Sequence, residues 1–501
     1  MGFFAWAAVK IDELIHEYRF ETLYMLEEVK PPTHNKPTDI SKEIAQMGPN
    51  AIEYLEKKYH EGNANERMRV VFNLQSFTDP CAIPLLIEAL QDENADIAGS
   101  AITPLGKWGS AAVPALIGLV SDNNKSCFDA RLQAIAILGS IGDRRATGTL
   151  IGCLADESLD VREYSISALK MLRDESAVPA LAACLYDSNQ FVQARAASAF
   201  IEMPDERAIP GLLELIDSHV DGVKENAEKA LVSIGISALP AVFEKTVMIF
   251  INEPATDVII EMGAPAIPYL IKKLEDNRWE KRCTASSLLG RIEEGKKENA
   301  VSTSALAGML SDANPKVRKF AADALVLIQN IRGIRPLWNT MKQDPDLDVR
   351  TTAMTDLVIV AEANMDKPEN GRLILPALYD VIGSYEYTGS RTHVVMTINK
   401  CLAIFAHFAK GGEEIGLQRL SSSIKAFIYN AKHSGEASMT QRDIERLSSS
   451  YMDICEIVRS RKSRLFDDGE IISGIALKAP KGTRGMGMFR SARSANAKVM
   501  A

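Results

Sequence analysis

Apolar residues recur along this chain in two phrases, each about thirty residues from its next copy. The first reads Ala82-Ile83-Pro84-Leu85-Leu86, then Ala112-Val113-Pro114-Ala115-Leu116, Ala177-Val178-Pro179-Ala180-Leu181, Ala208-Ile209-Pro210-Gly211-Leu212 and Ala266-Ile267-Pro268-Tyr269-Leu270. Its proline sets a register that runs through Pro49, Pro84, Pro114, Pro179, Pro210, Pro240, Pro268, Pro336 and Pro376, with Gly148 and Ser304 filling two gaps. Successive anchors lie 28 to 40 residues apart, which gives about eleven units. Apolar residues follow the anchor at offsets of two, three and six, as in Leu86, Ile87 and Leu90 or Leu212, Leu213 and Ile216. Those offsets share one helical face. Proline is tolerated at a helix start, where its missing N–H has no partner to lose. The phrase therefore predicts a first helix, A, with Asp79, Ser110 and Asp205 as candidate N-caps.

The second phrase follows the anchor by about 13 to 16 residues. Val161 leads to Ser165, Ala168 and Leu169; Val192 to Ala196, Ala199 and Phe200; Val223 to Ala227, Ala230 and Leu231; Val317 to Ala321, Ala324 and Leu325. Offsets of four, seven and eight again mark one helical face, here lined with alanine, so that two backbones can approach closely. This is helix B. Gly142 and Gly235 end two such helices as C-terminal caps. Short Asp/Asn-rich turns such as Asp92-Glu93-Asn94 separate A from B. No alternating apolar run is long enough to propose a sheet.

A unit of this kind contacts its neighbours only, so the core grows in one dimension and the open ends need covers. Residues 1–38 hold one amphipathic stretch and a proline-rich breaker, and read as an N-terminal cap. Residues 39–390 read as the repeat array. Residues 391–466 hold three longer helical stretches, about 393–410, 413–433 and 438–464, and read as a C-terminal helical cap. Residues 467–501 are rich in Gly, Ser, Lys and Arg without periodicity, and read as a flexible basic tail.

Composition adds little to the fold and more to the choice of partner. Of the 501 residues, 46% are hydrophobic and 25% charged, ordinary values for a folded protein. The net charge is −9. From Arg459 onward ten Lys or Arg face three acids, a local +7, which leaves −16 on the rest of the chain. That opposes nucleic acid or an anionic membrane as partner of the body and leaves it open for the tail, through Lys478, Lys481, Arg484, Arg490, Arg493 and Lys498. Gly482–Gly487 follows no strand and is no nucleotide fingerprint. Seven cysteines without a Cys-x-x-Cys pair read as reduced thiols in a cytoplasmic protein. Cys153 and Cys184, one repeat apart, read as small buried residues at a tight crossing. The apolar opening Met1–Val9 is too short to span a bilayer and fails the patterns for a signal peptide or myristoylation; no other stretch is long enough to span.

The Ala-Ile/Val-Pro-x-Leu phrase coupled to Asp160-Val161-Arg162 and Asp348-Val349-Arg350 resembles HEAT-like repeats, most nearly the short subtype named after phycobilisome (bilin) lyases. The resemblance implies an all-α, right-handed α-solenoid whose B helices line a concave binding face. It says little about activity, since one repeat type serves many functions.

The candidate chemistry is sparse. Arg131, Arg162, Arg282, Arg318 and Arg350 follow the helix-B apolar position, with Lys224 in register. They form either a basic ladder for an acidic partner or an internal ladder of ion pairs with acids of the same or next repeat; the nearby Asp129, Asp160 and Asp348 favour the second. Tyr385 and Tyr387, in a polar segment beyond the regular pattern, are either interface tyrosines or packed against the C-terminal helices. Paired His-Glu motifs, which in one HEAT-like family hold iron, are missing: His16-Glu17 and His60-Glu61 stand outside the repeat phrases. No convergent acid, base, nucleophile or metal set emerges, and no cofactor is expected. The expected function is a non-enzymatic scaffold that binds another protein on the concave face. The alternatives are a bilin lyase-like subunit handling a bulky prosthetic group, and nucleic-acid or acidic-partner binding through the tail.

Overall fold

A computed structural model describes residues 49–461, apart from residue 78 and the segments 123–127, 247–252, 384–390, 412–413 and 434–440. The proposed N-terminal cap, the basic tail, Tyr385 and Tyr387 lie outside the described residues. The described chain contains 24 α-helices and no strand. It divides into two compact units, Met1–Thr246 with Asn252–Met262, and Val247–Ile251 with Gly263–Ala501.

In the first unit helices alternate as A and B: α1 Pro49–Glu61, α2 Ala64–Leu74, α3 Ile83–Ala89, α4 Ala95–Trp108, α5 Val113–Ser121, α6 Phe128–Ile141, α7 Thr147–Cys153, α8 Leu159–Leu172, α9 Val178–Ala183, α10 Gln190–Glu202, α11 Ile209–Leu215, α12 Asp221–Ile234, α13 Leu239–Lys245 and α14 Pro254–Met262. The second unit continues with α15 Ile267–Lys273, α16 Trp279–Ile292, α17 Thr303–Met309, α18 Pro315–Ile328, α19 Ile334–Gln343, α20 Leu347–Ala363, α21 Gly371–Gly383 and α22 Arg391–Gly411, followed by α23 Leu417–His433 and α24 Gln441–Arg461. Odd helices are A and even helices B.

The proline phrase has a consistent local structure. A three-residue 3-10 turn ends on its alanine, and helix A begins on the next residue with proline second, as in α3, α9, α11 and α15. Asp79 and Asp205 cap that turn by accepting the N–H two residues on, as do Asp143 and Asp174, which the proline phrase did not single out. Ser110 does not: it lies inside the turn Gly109–Ala111, which opens on Gly109 at φ +54° and has no side-chain cap. Gly148 and Ser304 take the proline's place as second residues of α7 and α17. Pro376 departs from the register and sits inside α21, because Pro368 opens a turn ahead of it and the helix starts early. Gly142 and Gly235 end α6 and α12 at φ +73° and +72°, a conformation that costs glycine nothing.

The core of each unit is the seam between its A and B layers. Leu86, Leu116, Leu150, Leu181 and Leu212 from A helices and Ala134, Val161, Val192, Val223 and Leu231 from B helices are fully buried. Consecutive B helices pack side by side, α6 on α8, α10 on α12 and α16 on α18. Alanine and glycine set that distance: a Cβ added to Gly139 would fall 2.7 Å from Ala168 Cα, and one added to Gly290 2.8 Å from Ala324 Cα. The second unit closes with the longer helices α22 to α24. Tyr379 of α21 ties them in, accepting the Gly416 N–H at 2.8 Å and lying 4.7 Å under the Arg419 guanidinium.

Candidate interaction surface

The helix-B arginines form an internal ladder. Arg162 donates from Nη1 to the carbonyl of Asp156, which opens its own A–B turn, and its Nε meets the carboxylate of Asp187 in the next turn at 3.1 Å. Arg282 spans Asp276 and Asp312, and Arg318 spans Asp312 and Asp344, in the same way. Arg131 reaches Asp156 at 2.8 Å, and Arg350 donates to the carbonyl of Asp344. Each turn aspartate also accepts the backbone N–H two residues on, as at Asn94, Ser158, Asn189, Asn314 and Asp346. The carboxylates thus brace the turn and receive the neighbour's arginine together, which fixes repeat against repeat. The residue in register in α10 is Gln193, which donates to the Asp187 carbonyl, and Lys224 turns instead to Glu228 at 3.8 Å. The ladder acids are the turn aspartates, and not Asp129, Asp160 or Asp348. Arg67 does the same work toward Asp92, with Tyr59 donating to that carboxylate as well. The sequence reading missed Arg67, although its 25-residue spacing to Asp92 repeats that of Arg131 to Asp156 and Arg162 to Asp187.

The other polar candidates hold no assembled chemistry. Among the described residues no group of three or more His, Cys, Asp or Glu is arranged to hold a metal. Cys153, Cys184, Cys283, Cys401 and Cys455 are buried free thiols; burial raises Cys184 to about 11 and Cys283 to about 12, the reverse of an activated nucleophile. His60 makes an exposed contact with Glu88 at 2.6 Å. An open cleft of about 400 Å³ in the second unit is lined by loop polar groups, of which Lys297 caps the Ala363 carbonyl and Lys367 pairs with Glu298.

The solvent-facing stripe of the B helices differs between repeats. It recurs at the position before the conserved-register valine and at offsets of three, six and ten. In α8 it runs Asp160, Tyr164, Ser167 and Met171; in α10 it runs Phe191, Arg195, Ser198 and Glu202. Tyr164, Met171 and Phe191 are 44%, 56% and 58% exposed. These helices are in register, since Arg195 pairs with Glu163 and Lys170 with Glu202 across them. Two adjacent helices therefore show three large apolar side chains on one face. The same positions in α6 carry Asp129, Gln133, Ala136 and Ser140. This departure from the repeat's own pattern was visible in the sequence but not singled out.

Beside this patch the face is acidic. Glu225 of α12 occupies the offset that Glu163 holds in α8. Glu228 stands where α8 buries Ile166 and α10 buries Ala197. Burial raises its carboxyl above the ordinary range, and the neighbouring Asp257, Glu261 and Glu225 push the same way against Lys224. Residues 49–262 carry 31 acids against 17 bases, a net −14, whereas residues 263–458 carry 24 against 25.

Models for HEAT repeats match residues 123–201, 155–232 and 267–357, and a model for the PBS lyase HEAT-like repeat matches residues 66–92. A phycocyanobilin lyase subunit beta from Pseudanabaena tenuis is 41% identical over 96 residues, 19% of this chain; the chain spans a third of that relative's length. Among solved structures, the CpcE–CpcF complex of phycocyanin lyase from Nostoc is matched at 25% identity and a TM-score of 0.28, over 30% of this chain and 99% of that one. Kap121p is matched at 13% identity and a TM-score of 0.40, over 91% and 56%. Scores of this size carry nothing about function. The matched repeat models and the paired helices agree: the chain carries HEAT repeats, among them one of the PBS lyase HEAT-like type.

Proposed function

We propose that this protein is a non-enzymatic scaffold that binds another protein on the B-helix face of its first unit. The observation that carries the reading is the exposed trio Tyr164, Met171 and Phe191, set on two adjacent helices whose neighbours α6 and α12 carry only small or polar side chains at the same positions, while Phe320 and Leu327, at those positions in α18, are partly covered. Apolar and aromatic clusters of this kind mark interaction sites on otherwise polar surfaces. The ladder arginines have their charge committed within the array, so they act by holding the face in register. The free thiols fit a reducing cytoplasmic setting. A photo-crosslinking phenylalanine analogue placed at Tyr164 or Phe191 in the producing cell tests the reading. One protein crosslinked from both positions, and not from Glu214 on the A layer, supports it; equal yield from Glu214, or none from any position, sinks it.

A second reading is favoured by the 41% identity over 96 residues to a phycocyanobilin lyase subunit. Under it the same face handles a bulky prosthetic group for transfer to an acceptor protein. Production alongside phycocyanobilin would then give a coloured protein. A protein that stays colourless and transfers nothing to a phycocyanin subunit ends that reading.

A further inference from the structure

We infer that the partner of the first unit's B-helix face presents a Lys/Arg-rich segment interrupted by apolar side chains. The inference rests on the scaffold reading and specifies its ligand. Two features of this face and the charge of the surrounding residues support it. Tyr164 and Phe191 offer exposed rings on α8 and α10. On α12 and α14, further along, Asp257, Glu261 and Glu225 are exposed beside the half-buried Glu228, with Glu225 already paired to Lys229 at 2.7 Å. Residues 49–262, which carry them, have a net charge of −14, while residues 263–458 are near neutral.

The half-buried Glu228 is the most telling of these. The position is filled by an apolar residue in α8 and α10, so a carboxylate there adds nothing to the repeat's core. Lys224 reaches it only at 3.8 Å, and three further carboxylates raise its proton affinity. A cation arriving from outside relieves that repulsion, and a neighbouring apolar side chain of the same segment covers the rings. The two contacts together give position and sign: charge brings the segment in and apolar burial holds it. A Lys/Arg-rich segment fits both, and an acidic or uncharged one fits only the rings.

Fluorescence anisotropy on the full-length chain tests this with two labelled synthetic peptides. One alternates Arg or Lys with Leu; its twin carries Glu at every basic position. The basic peptide is expected to bind, to weaken about tenfold or more on Glu225→Lys with Glu261→Lys, and to weaken on Tyr164→Ala with Phe191→Ala. The control Glu206→Lys with Glu214→Lys changes net charge equally on the A layer and should shift binding less than about threefold. Equal loss in both charge reversals means diffuse attraction and overturns the inference. So does a gain in basic-peptide binding when Arg484, Arg490 and Arg493 are replaced by Glu, which would assign the face to this chain's own basic segment. Binding of the Glu peptide that depends on Tyr164 and Phe191 overturns the basic ligand but keeps the scaffold reading. Binding of neither peptide that responds to those two residues removes both. Circular dichroism of each variant separates lost binding from lost folding.

Discussion

The two units are built from one repeat and use it differently. In the second, the ladder is tight and deep: Arg318 meets Asp344 with both bonds at 2.7 Å, and the pair is 8% and 3% exposed. In the first the ladder is uneven: Arg162 meets Asp187 at 3.1 and 3.4 Å with both side chains 15% exposed, whereas Arg67 meets Asp92 and Arg131 meets Asp156 at 2.8 Å. The solvent stripe follows the opposite trend. Helices α16 and α18 expose no large apolar side chain, whereas α8 and α10 expose three; the second unit shows single ones, such as Leu347 at the start of α20 and Met396 on α22. Charge differs as well: residues 49–262 carry −14 and residues 263–458 are near zero. The lesson is that a repeat fixes how its units stack and leaves the outward positions free, so function is to be sought where outward positions break the pattern.

The largest expected effect breaks the ladder where it is deepest. Arg318→Ala leaves Asp344 as a buried, uncompensated carboxylate and should cost the second unit about 3–5 kcal/mol in urea unfolding. Arg162→Ala in the first unit should cost less than half as much, because its aspartate keeps more water. Equal losses would erase the contrast between the ladders.

Close helix crossing should be common to both units. Gly139→Ala and Gly290→Ala place a methyl against the backbone of Ala168 and Ala324, and each should destabilise by about 1–3 kcal/mol despite alanine's better helix propensity. A neutral or stabilising result at either position, read from thermal unfolding, would show that the helices can part there.

Asp356 sharpens the comparison from the other side. It occupies the offset at which α8, α10, α12 and α18 carry Ala168, Ala199, Ala230 and Ala324. It is 6% exposed, and its Oδ2 has no hydrogen-bond partner. Burial raises its pKa well above the usual carboxylate value, and Asp323 on α18 adds to this while Lys319 opposes it. A folded pKa above the unfolded one means that the native state holds the proton more tightly. Stability of the second unit therefore falls as pH rises from the ordinary carboxylate pKa to the raised one, then levels off. Asp356→Ala restores the repeat's own residue and should stabilise by about 1–2 kcal/mol at neutral pH, with that slope removed. Loss of stability at neutral pH, or an unchanged slope in unfolding measured from pH 4 upward, would contradict this account.

The smallest effect on stability belongs to the exposed trio. Tyr164→Ala and Phe191→Ala should each change unfolding by no more than about 0.5 kcal/mol, while crosslinking or peptide binding at the B face is lost. A large destabilisation would place these rings in the fold and not at an interface.

Much of the fold was legible. The proline phrase gave the A helices, and the C-terminal stretches 393–410, 413–433 and 438–464 correspond to Arg391–Gly411, Leu417–His433 and Gln441–Arg461. Local rules suffice there, because a periodic apolar face and a capped end need no distant contact. Ser110 and Pro376 failed for local reasons too: a preceding left-handed glycine and an earlier proline moved the helix starts. The interaction surface was less legible. Arg67, Tyr164 and Phe191 each look ordinary alone, and only alignment of repeat against repeat marks them.

The sequence by itself determined that the chain builds stacked helical hairpins, where each hairpin begins, and that its net negative charge concentrates between residues 49 and 262. Tertiary structure decided which side chains the stacking leaves outside. The ladder arginines and the turn aspartates lie about 25 to 30 residues apart, and only packing shows that each pair closes on itself. The reason is physical: periodicity specifies the face that must be buried, whereas the exposure of the opposite face depends on how closely the next helix lies.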